Sequence, residues 1–322
     1  MTEVLKNTSA SAIAAAILKA RRNLGAASGL VFTLVVVTDS RHFNKVFGAA
    51  MEAGREHPSR ILVVVMGRGS VTKLDAEIHT GEGVPGDVVT LHLSGELNEH
   101  AESAVLPLLL PDSPVVIWWP NESPIDPAAD AIGALGTRRI TDASGASDEL
   151  RAMLTRAEHH APGDTDLTWT RLTPWRALLA AALDQYHARI TGAVVEAAPK
   201  NAPGELMAAW LETRLGVDVE RVPAQSVGIT SVRLQSLAGE VVLSRQPGSN
   251  MACYMIPGQP PREVALPRRD IQQLIAEELR RMDPDDIYEQ VAAQVLVRAT
   301  RGEVSPSGRS RGHHHTAGTE SK

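Results

Sequence analysis

The sequence predicts an α/β protein, with an N-terminal α/β sandwich built on a mostly parallel sheet and a C-terminal α+β domain with antiparallel strands. Three observations predict it. Apolar β-branched runs alternate with helix-period segments over residues 1–160. A polar Pro/Gly stretch follows, and beyond it the pattern becomes several short strands in succession. The length of 322 residues also suits two domains, at roughly 150 residues each, both large enough to bury a core. The expected divisions are 1–160, 166–299 and a Gly/Ser/Arg/His-rich tail, 300–322, expected to be disordered.

In order along the first half, Ile13, Ile17 and Leu24 recur at helical spacing, with Thr8 or Ser9 as cap and Gly25 as stop. Residues 30–37 and 61–66 read as strands buried on both faces. Between them, Thr38-Asp39-Ser40 opens a helix whose apolar face is Phe43, Phe47, Ala50 and Met51, closed by Pro58. Residues 77–80 and 88–93 are strands joined by a Gly/Pro turn. Helices are expected over 98–110, 126–135 and 147–159, with strands at 115–119 and 139–141. Past the boundary at 160–166, helices are expected over 174–189 and 203–215, the second stopped by Gly216. Strands are expected at 191–197, 219–222, 229–237, 240–245, 251–256 and 262–266, and closing helices over 270–281 and 284–298. No internal repeat is visible.

Composition narrows function. Lys and Arg total 32 against 38 Asp and Glu, a net charge of −6, so electrostatics make no case for nucleic acid or an anionic membrane as partner. No apolar stretch is long enough to span a bilayer, and the apolar run at 10–18 has its positive charges behind it, the reverse of a secretory signal. A cytoplasmic setting is expected. The single cysteine, Cys253, forms no intrachain disulfide and no thiolate zinc site. It reads as a mid-strand residue.

Catalytic signatures are missing. There is no GxxxxGK[ST] loop, no GxSxG elbow and no HExxH or HxxxH pair. Gly67-Arg68-Gly69-Ser70 follows a strand, but Thr72 stands where a third glycine belongs, so a plain turn is expected. A phosphate on the helix N-terminus at Asp39-Ser40 and a simple Asp/Ser cap remain alternatives. Asp283, Asp285 and Asp286 look like a helix-start cluster. No metal, cofactor or catalytic residue is expected.

Three segments hold more Trp, Arg and Pro than a core requires. LPLLLPDSPVVIWWP (106–120) sends Trp118 and Trp119 to opposite faces of a strand. DLTWTRLTPWRAL (166–178) sets Trp169 and Arg171 two apart, then Trp175 and Arg176 at a helix start. This is the composition of an interface anchor and equally of a domain joint in which Arg stacks on Trp. PPREVALPRR (260–269) brings Arg262, Arg268 and Arg269 beside a strand and a helix start, either as a solvated face or as an anion contact.

HPSRI (57–61), LPLLLPDSPVVIWWP, DLTWTRLTPWR and LPRRD…LIAEELRRMDPDDIY (266–288), in this order, resemble the glucose-6-phosphate dehydrogenase assembly protein (OpcA) family in its actinobacterial form. The resemblance spans roughly residues 1–298. It implies a non-enzymatic assembly factor and allosteric activator that binds glucose-6-phosphate dehydrogenase and supports the oxidative pentose phosphate pathway and NADPH supply. It carries over no catalytic residue. Cysteine-based redox control, associated with cyanobacterial relatives, has no internal disulfide to work through here. On their composition, Trp169, Arg171, Trp175 and Arg176 are the expected partner-binding residues, with Arg268 and Arg269 second, and replacing Trp169 and Arg171 by Ala is expected to abolish activation with the fold intact. The competing reading is an α/β enzyme or sensor that binds a nucleotide or sugar phosphate.

Overall fold

A computed structural model describes residues 2–24, 29–81, 83–246 and 248–304. Gly25, the expected helix stop, and the expected tail beyond residue 304 lie outside the described residues. The first half runs β1 (Thr2–Leu5), α1 (Ala10–Leu24), β2 (Thr33–Asp39), α2 (Phe43–Glu56), β3 (Arg60–Met66), β4 (Lys73–His79), β5 (Val88–Ser94), α3 (Ala101–Val105), β6 (Val115–Trp118), β7 (Arg138–Thr141), α4 (Glu149–Glu158) and β8 (Asp164–Asp166). The second runs α5 (Leu167–Thr170), α6 (Thr173–Gln185), β9 (Ile190–Ala197), α7 (Ala202–Leu215), β10 (Val219–Pro223), β11 (Ile229–Ser236), β12 (Gly239–Arg245), β13 (Met251–Met255), β14 (Arg262–Ala265), α8 (Ile271–Glu278) and α9 (Asp286–Thr300).

The first sheet has the order β1-β4-β5-β3-β2-β6-β7-β8. From β5 to β8 every neighbouring pair is parallel, and β4 and β1 add an antiparallel edge. This is a doubly wound sheet whose order reverses between β2 and β6. β2 (TLVVVTD) and β3 (RILVVVM) are buried on both faces, as continuous β-branched runs require. One face packs under α1 and α3 around Ile13, Leu62 and Leu91. The other packs under α2 around Leu34, Val63 and Trp118. Trp118 and Trp119 do point opposite ways, and both are buried.

The second sheet has the order β10-β9-β11-β12-β13-β14 and is antiparallel except for β9 and β10, which α7 joins as a parallel pair. Gly216 ends α7 in the left-handed conformation at φ 64°, as its position predicts. Three local differences from the sequence reading have clear causes. The stretch 126–135 forms successive turns instead of a helix: Asp126 Oδ1 accepts from the N–H groups of Ala128 and Ala129, and Asp130 Oδ1 from those of Ile132 and Gly133. The stretch 98–110 breaks around the five-residue α3, with Pro107 in the tight turn that follows it. The segment 160–166, read as a boundary, ends in β8, which pairs with β7. Val304, the last described residue, is buried in the second core.

The two halves exchange helices. Leu274, Ile275 and Leu279, on or just after α8, belong to the core on the α2 face of the first sheet. In return, Leu150, Met153 and Ala157 of α4 belong to the core of the second half. The core on the α2 face of the first sheet and the core of the second half are therefore each incomplete without a helix from the other side of residue 166. Leu274→Ala removes a fully buried side chain from this joint. It should lower unfolding stability by about 2–5 kcal/mol, measured by urea titration followed by tryptophan fluorescence.

Candidate functional site

The joint is where the family-like segments meet. His57 Nε2 lies 3.0 Å from the Ala276 carbonyl of α8, so the HPSRI segment touches the C-terminal one. Arg60 of that segment donates to the Leu108 carbonyl at 2.7 Å and pairs with Asp87. From β7, Arg138 Nη2 donates to Glu278 Oε2 at 2.9 Å, and Arg138 also donates to the Arg281 carbonyl. Thr170 Oγ1 donates to the other Glu278 oxygen at 2.7 Å. Burial raises the Glu278 carboxyl above its ordinary value, with Arg138 and Thr170 opposing the rise.

Trp169 is buried in the second core and its Nε1–H donates to Asp285 Oδ2 at 2.8 Å. The other Asp285 oxygen caps α9 by accepting from Ile287 and Tyr288 N–H. One carboxylate thus starts α9 and fixes the Trp169 ring, and the helix-start reading of that aspartate is the structural one. The Arg176 guanidinium stacks 3.5 Å from the Trp169 ring centroid. Burial lowers its pKa to about 10, while Asp285, Glu277 and Glu278 oppose the loss of charge. Arg171 forms a bidentate pair with Asp142 at 2.6 and 2.8 Å, and Asp142 is almost fully buried. Trp175 is buried, with the Arg245 guanidinium 5.2 Å from its ring centroid. Arg268 is exposed and donates to the Val227 carbonyl at 3.2 Å, while half-buried Arg269 pairs with Glu277.

The structure brings the six residues expected to bind a partner into one neighbourhood, but divides them, and it leaves Arg262 apart, against Tyr254. Trp169 and Trp175 offer almost no ring surface outward, and Arg171 and Arg176 are half-buried beside them. Arg268 and Arg269 lie at the edge of the joint. Arg138, Asp142, Arg245 and Glu278 belong to the same place and were not singled out, because each lies in an ordinary strand end or helix turn and acquires its partner only from a segment distant in the chain.

Beside the joint, at the carboxyl ends of β2, β6 and β7, is a crevice of about 440 Å³ that includes His42, Lys45, Asn121, Asp142, Arg171 and Arg269. Open doubly wound sheets bind ligands in this position. The turn from β2 to α2 is 38-TDSRH-42 with no glycine, and Asp39 Oδ1 accepts from the N–H groups of Arg41 and His42 at 2.9 and 3.0 Å. These contacts hold the Asp39 carboxyl below its ordinary pKa against a desolvation that raises it. The Asp39 carboxylate thus closes the turn before α2, whose own N-cap, His42, makes no side-chain cap hydrogen bond. Gly67 and Gly69 bond to the strand β5 region, through Gly67 N–H to Leu93 O and Gly95 N–H to Gly69 O. The next element is β4, with no helix at the glycine turn. Among the described residues no cluster of three or more His, Cys, Asp or Glu side chains is arranged to hold a metal ion. No helix among them is long and apolar enough to cross a membrane.

This geometry defines a two-sheet α/β protein whose doubly wound half lacks the glycine turn of a dinucleotide site. Family models described as the glucose-6-phosphate dehydrogenase subunit N-terminal and C-terminal domains match residues 50–158 and 162–292. The chain belongs to the glucose-6-phosphate dehydrogenase assembly (OpcA) family, which serves the pentose phosphate pathway. No curated protein matches it. Among solved structures it is similar to KijD10, a 3-ketoreductase from Actinomadura kijaniata, at 10% identity and TM-score 0.46, covering 85% of this chain and 98% of that one. It is also similar to the dehydrogenase MviM from Clostridium difficile, at 7% identity and TM-score 0.43, covering 85% and 99%. Likeness at this level carries no activity across.

Two outcomes follow from the joint. Arg171→Ala leaves buried Asp142 without its cation and should cost about 3–5 kcal/mol in a denaturant titration. The earlier expectation that Trp169→Ala with Arg171→Ala leaves the fold intact is therefore corrected, since truncating a buried Trp alone costs about 3–5 kcal/mol. The second outcome concerns Glu278, whose folded pKa lies above the ordinary 4.5. Its contribution is fully present below that value and is lost as pH rises through the folded one. The stability of wild type relative to Glu278→Gln should accordingly fall as pH rises above about 4.5, and a flat difference would contradict the raised pKa.

Proposed function

We propose that this protein is a non-enzymatic assembly factor and allosteric activator of glucose-6-phosphate dehydrogenase, acting in the cytoplasm. The observation that supports the reading best is the match of both halves, in order, to domains described as belonging to a glucose-6-phosphate dehydrogenase subunit. The β2–α2 turn has no glycine and carries the Asp39 carboxylate, whose charge disfavours a phosphate there, and this speaks against the competing reading of a nucleotide- or sugar-phosphate-binding enzyme.

Activation requires that the protein bind the competent state of the dehydrogenase more tightly than the incompetent one. A coupling of about 1–3 kcal/mol changes apparent affinity or activity by roughly 5–150-fold. In this reading Trp169, Arg171, Trp175 and Arg176 act by holding the joint rigid, so that the two halves present one surface. Arg268 and Arg269 are its direct contacts.

The test is to assay the cognate dehydrogenase with and without this protein and to run the mixture on a sizing column. Co-elution and a rise in dehydrogenase activity are expected, and complex formation with unchanged kinetics would leave only a structural partner. Arg268→Glu with Arg269→Glu should weaken the complex about tenfold or more, chiefly by slowing association at low salt.

A further inference from the structure

The N-terminal turns of α6 and α7 and the connection from β14 to α8 enclose a cavity of about 210 Å³. Four arginines line it: Arg171, Arg245, Arg268 and Arg269. Two are already matched, Arg171 by Asp142 and Arg269 by Glu277. The other two have no carboxylate partner among the described residues. Arg245 donates to the Leu266 carbonyl and Arg268 to the Val227 carbonyl. The Arg245 Nε–H is buried with no acceptor.

Burial, followed by the nearby charge of Arg268, lowers the Arg245 pKa to about 10. Two like charges set together on one cavity wall without a counter-charge repel each other. An anion entering the cavity would relieve that repulsion. The remaining walls suit one. Trp175 lies beneath the Arg245 guanidinium. Leu172, the N-cap of α6, supplies no side-chain acceptor, so the positive end of this 13-residue helix is not opposed locally. Gly228 lines the cavity at φ 79°, a conformation that glycine adopts without strain.

We propose that this cavity is an oxyanion site that takes the phosphate group of a small phosphorylated metabolite, with Arg245 and Arg268 as its forked donors. Charge favours phosphate over carboxylate. A phosphate monoester carries about −1.5 to −2 at neutral pH, against the two unmatched guanidinium charges, whereas one carboxylate leaves a positive charge uncompensated. Size favours a free molecule over a protein segment, since the cavity admits a phosphate and a few attached atoms. The cavity adjoins the crevice at the carboxyl ends of β2, β6 and β7, with Arg171 and Arg269 lining both, and the proposal stands whether or not the dehydrogenase is the partner.

The test uses the full chain alone, titrated with inorganic phosphate and with glycerol 3-phosphate against chloride at constant ionic strength. Calorimetric titration and the thermal midpoint are the readouts. A saturable heat is expected, with a midpoint rise on the order of 5 °C at a hundredfold excess over the dissociation constant. Arg245→Gln and Arg268→Gln should each weaken binding about tenfold or more, as loss of a charged hydrogen-bond donor does. Arg280→Gln, an exposed arginine paired with Glu56 away from the cavity, should leave it unchanged. Arg245 also holds the Leu266 carbonyl, so exposed Arg268 keeps the test readable if Arg245→Gln unfolds the protein.

Stabilisation that does not saturate, or that is equal in all variants, is a general salt effect and overturns the proposal. It is equally overturned if neither probe binds while both variants weaken the complex with the dehydrogenase. The cavity would then receive an acidic side chain of the partner.

Discussion

The Glu278 carboxylate stands between Arg138 on β7 and Thr170 on α5, and the arrangement of the two halves depends on that contact. Glu278 is the last residue of α8, a helix that follows the second sheet in the chain yet packs on the first. Ionised, the carboxylate is costly in so buried a position unless both oxygens are satisfied, and they are satisfied only when α8 lies against β7. The same positioning seats Leu274 and Ile275 in the first core. From there the chain turns to bring Asp285 onto Trp169 and to start α9, which closes the second core. Hydrophobic exchange supplies most of the driving force, and the charged contacts give it one geometry.

This interlocking has a consequence for how a partner is met. When two domains share only a small polar face, their relative motion is the default expectation. Here α4 and α8 are each part of the opposite core, so the halves cannot separate without opening both. A rigid body of this kind suits a protein proposed to select one state of another, because energy gained on docking is not spent on fixing its own domains. Fold and chemistry part company at the β2–α2 turn. The sheet order is that of many dinucleotide binders, while the turn where such a protein would hold phosphate has no glycine and carries the Asp39 carboxylate. The unmatched cations lie instead on the far side of Arg171, around Trp175.

Much of the fold was legible in the chain. The β-branched runs at β2 and β3, the alternating strands β11 and β12 and the glycine end of α7 follow from local patterning. Where local reading failed, side chains competed with the backbone, as Asp126 and Asp130 do in turning an expected helix into successive turns. Edge strands were the other weak point. β1 and β8 are four and three residues long and carry no continuous apolar run, so their strand character comes from pairing with β4 and β7.

The candidate site was legible only in part, and the division has a physical reason. Trp, Arg and Pro clustering in a chain poor in aromatics marked Trp169, Arg171, Trp175 and Arg176 as unusual, because composition is a local property. It left open whether they face a partner or another part of the same protein. In the structure Trp169 and Trp175 are buried in the second core, Arg171 pairs with Asp142 across the joint, and Arg176 stacks on Trp169. The sequence by itself determined the element types, the two-sheet organisation, the family and the lack of an internal disulfide. The tertiary structure alone decided which charges are matched, since Asp142 with Arg171 and Arg138 with Glu278 are far apart in the chain. It also decided that Arg245 and Arg268 are left without a carboxylate among the described residues, because an ion pair depends on distances across the joint that no local pattern encodes.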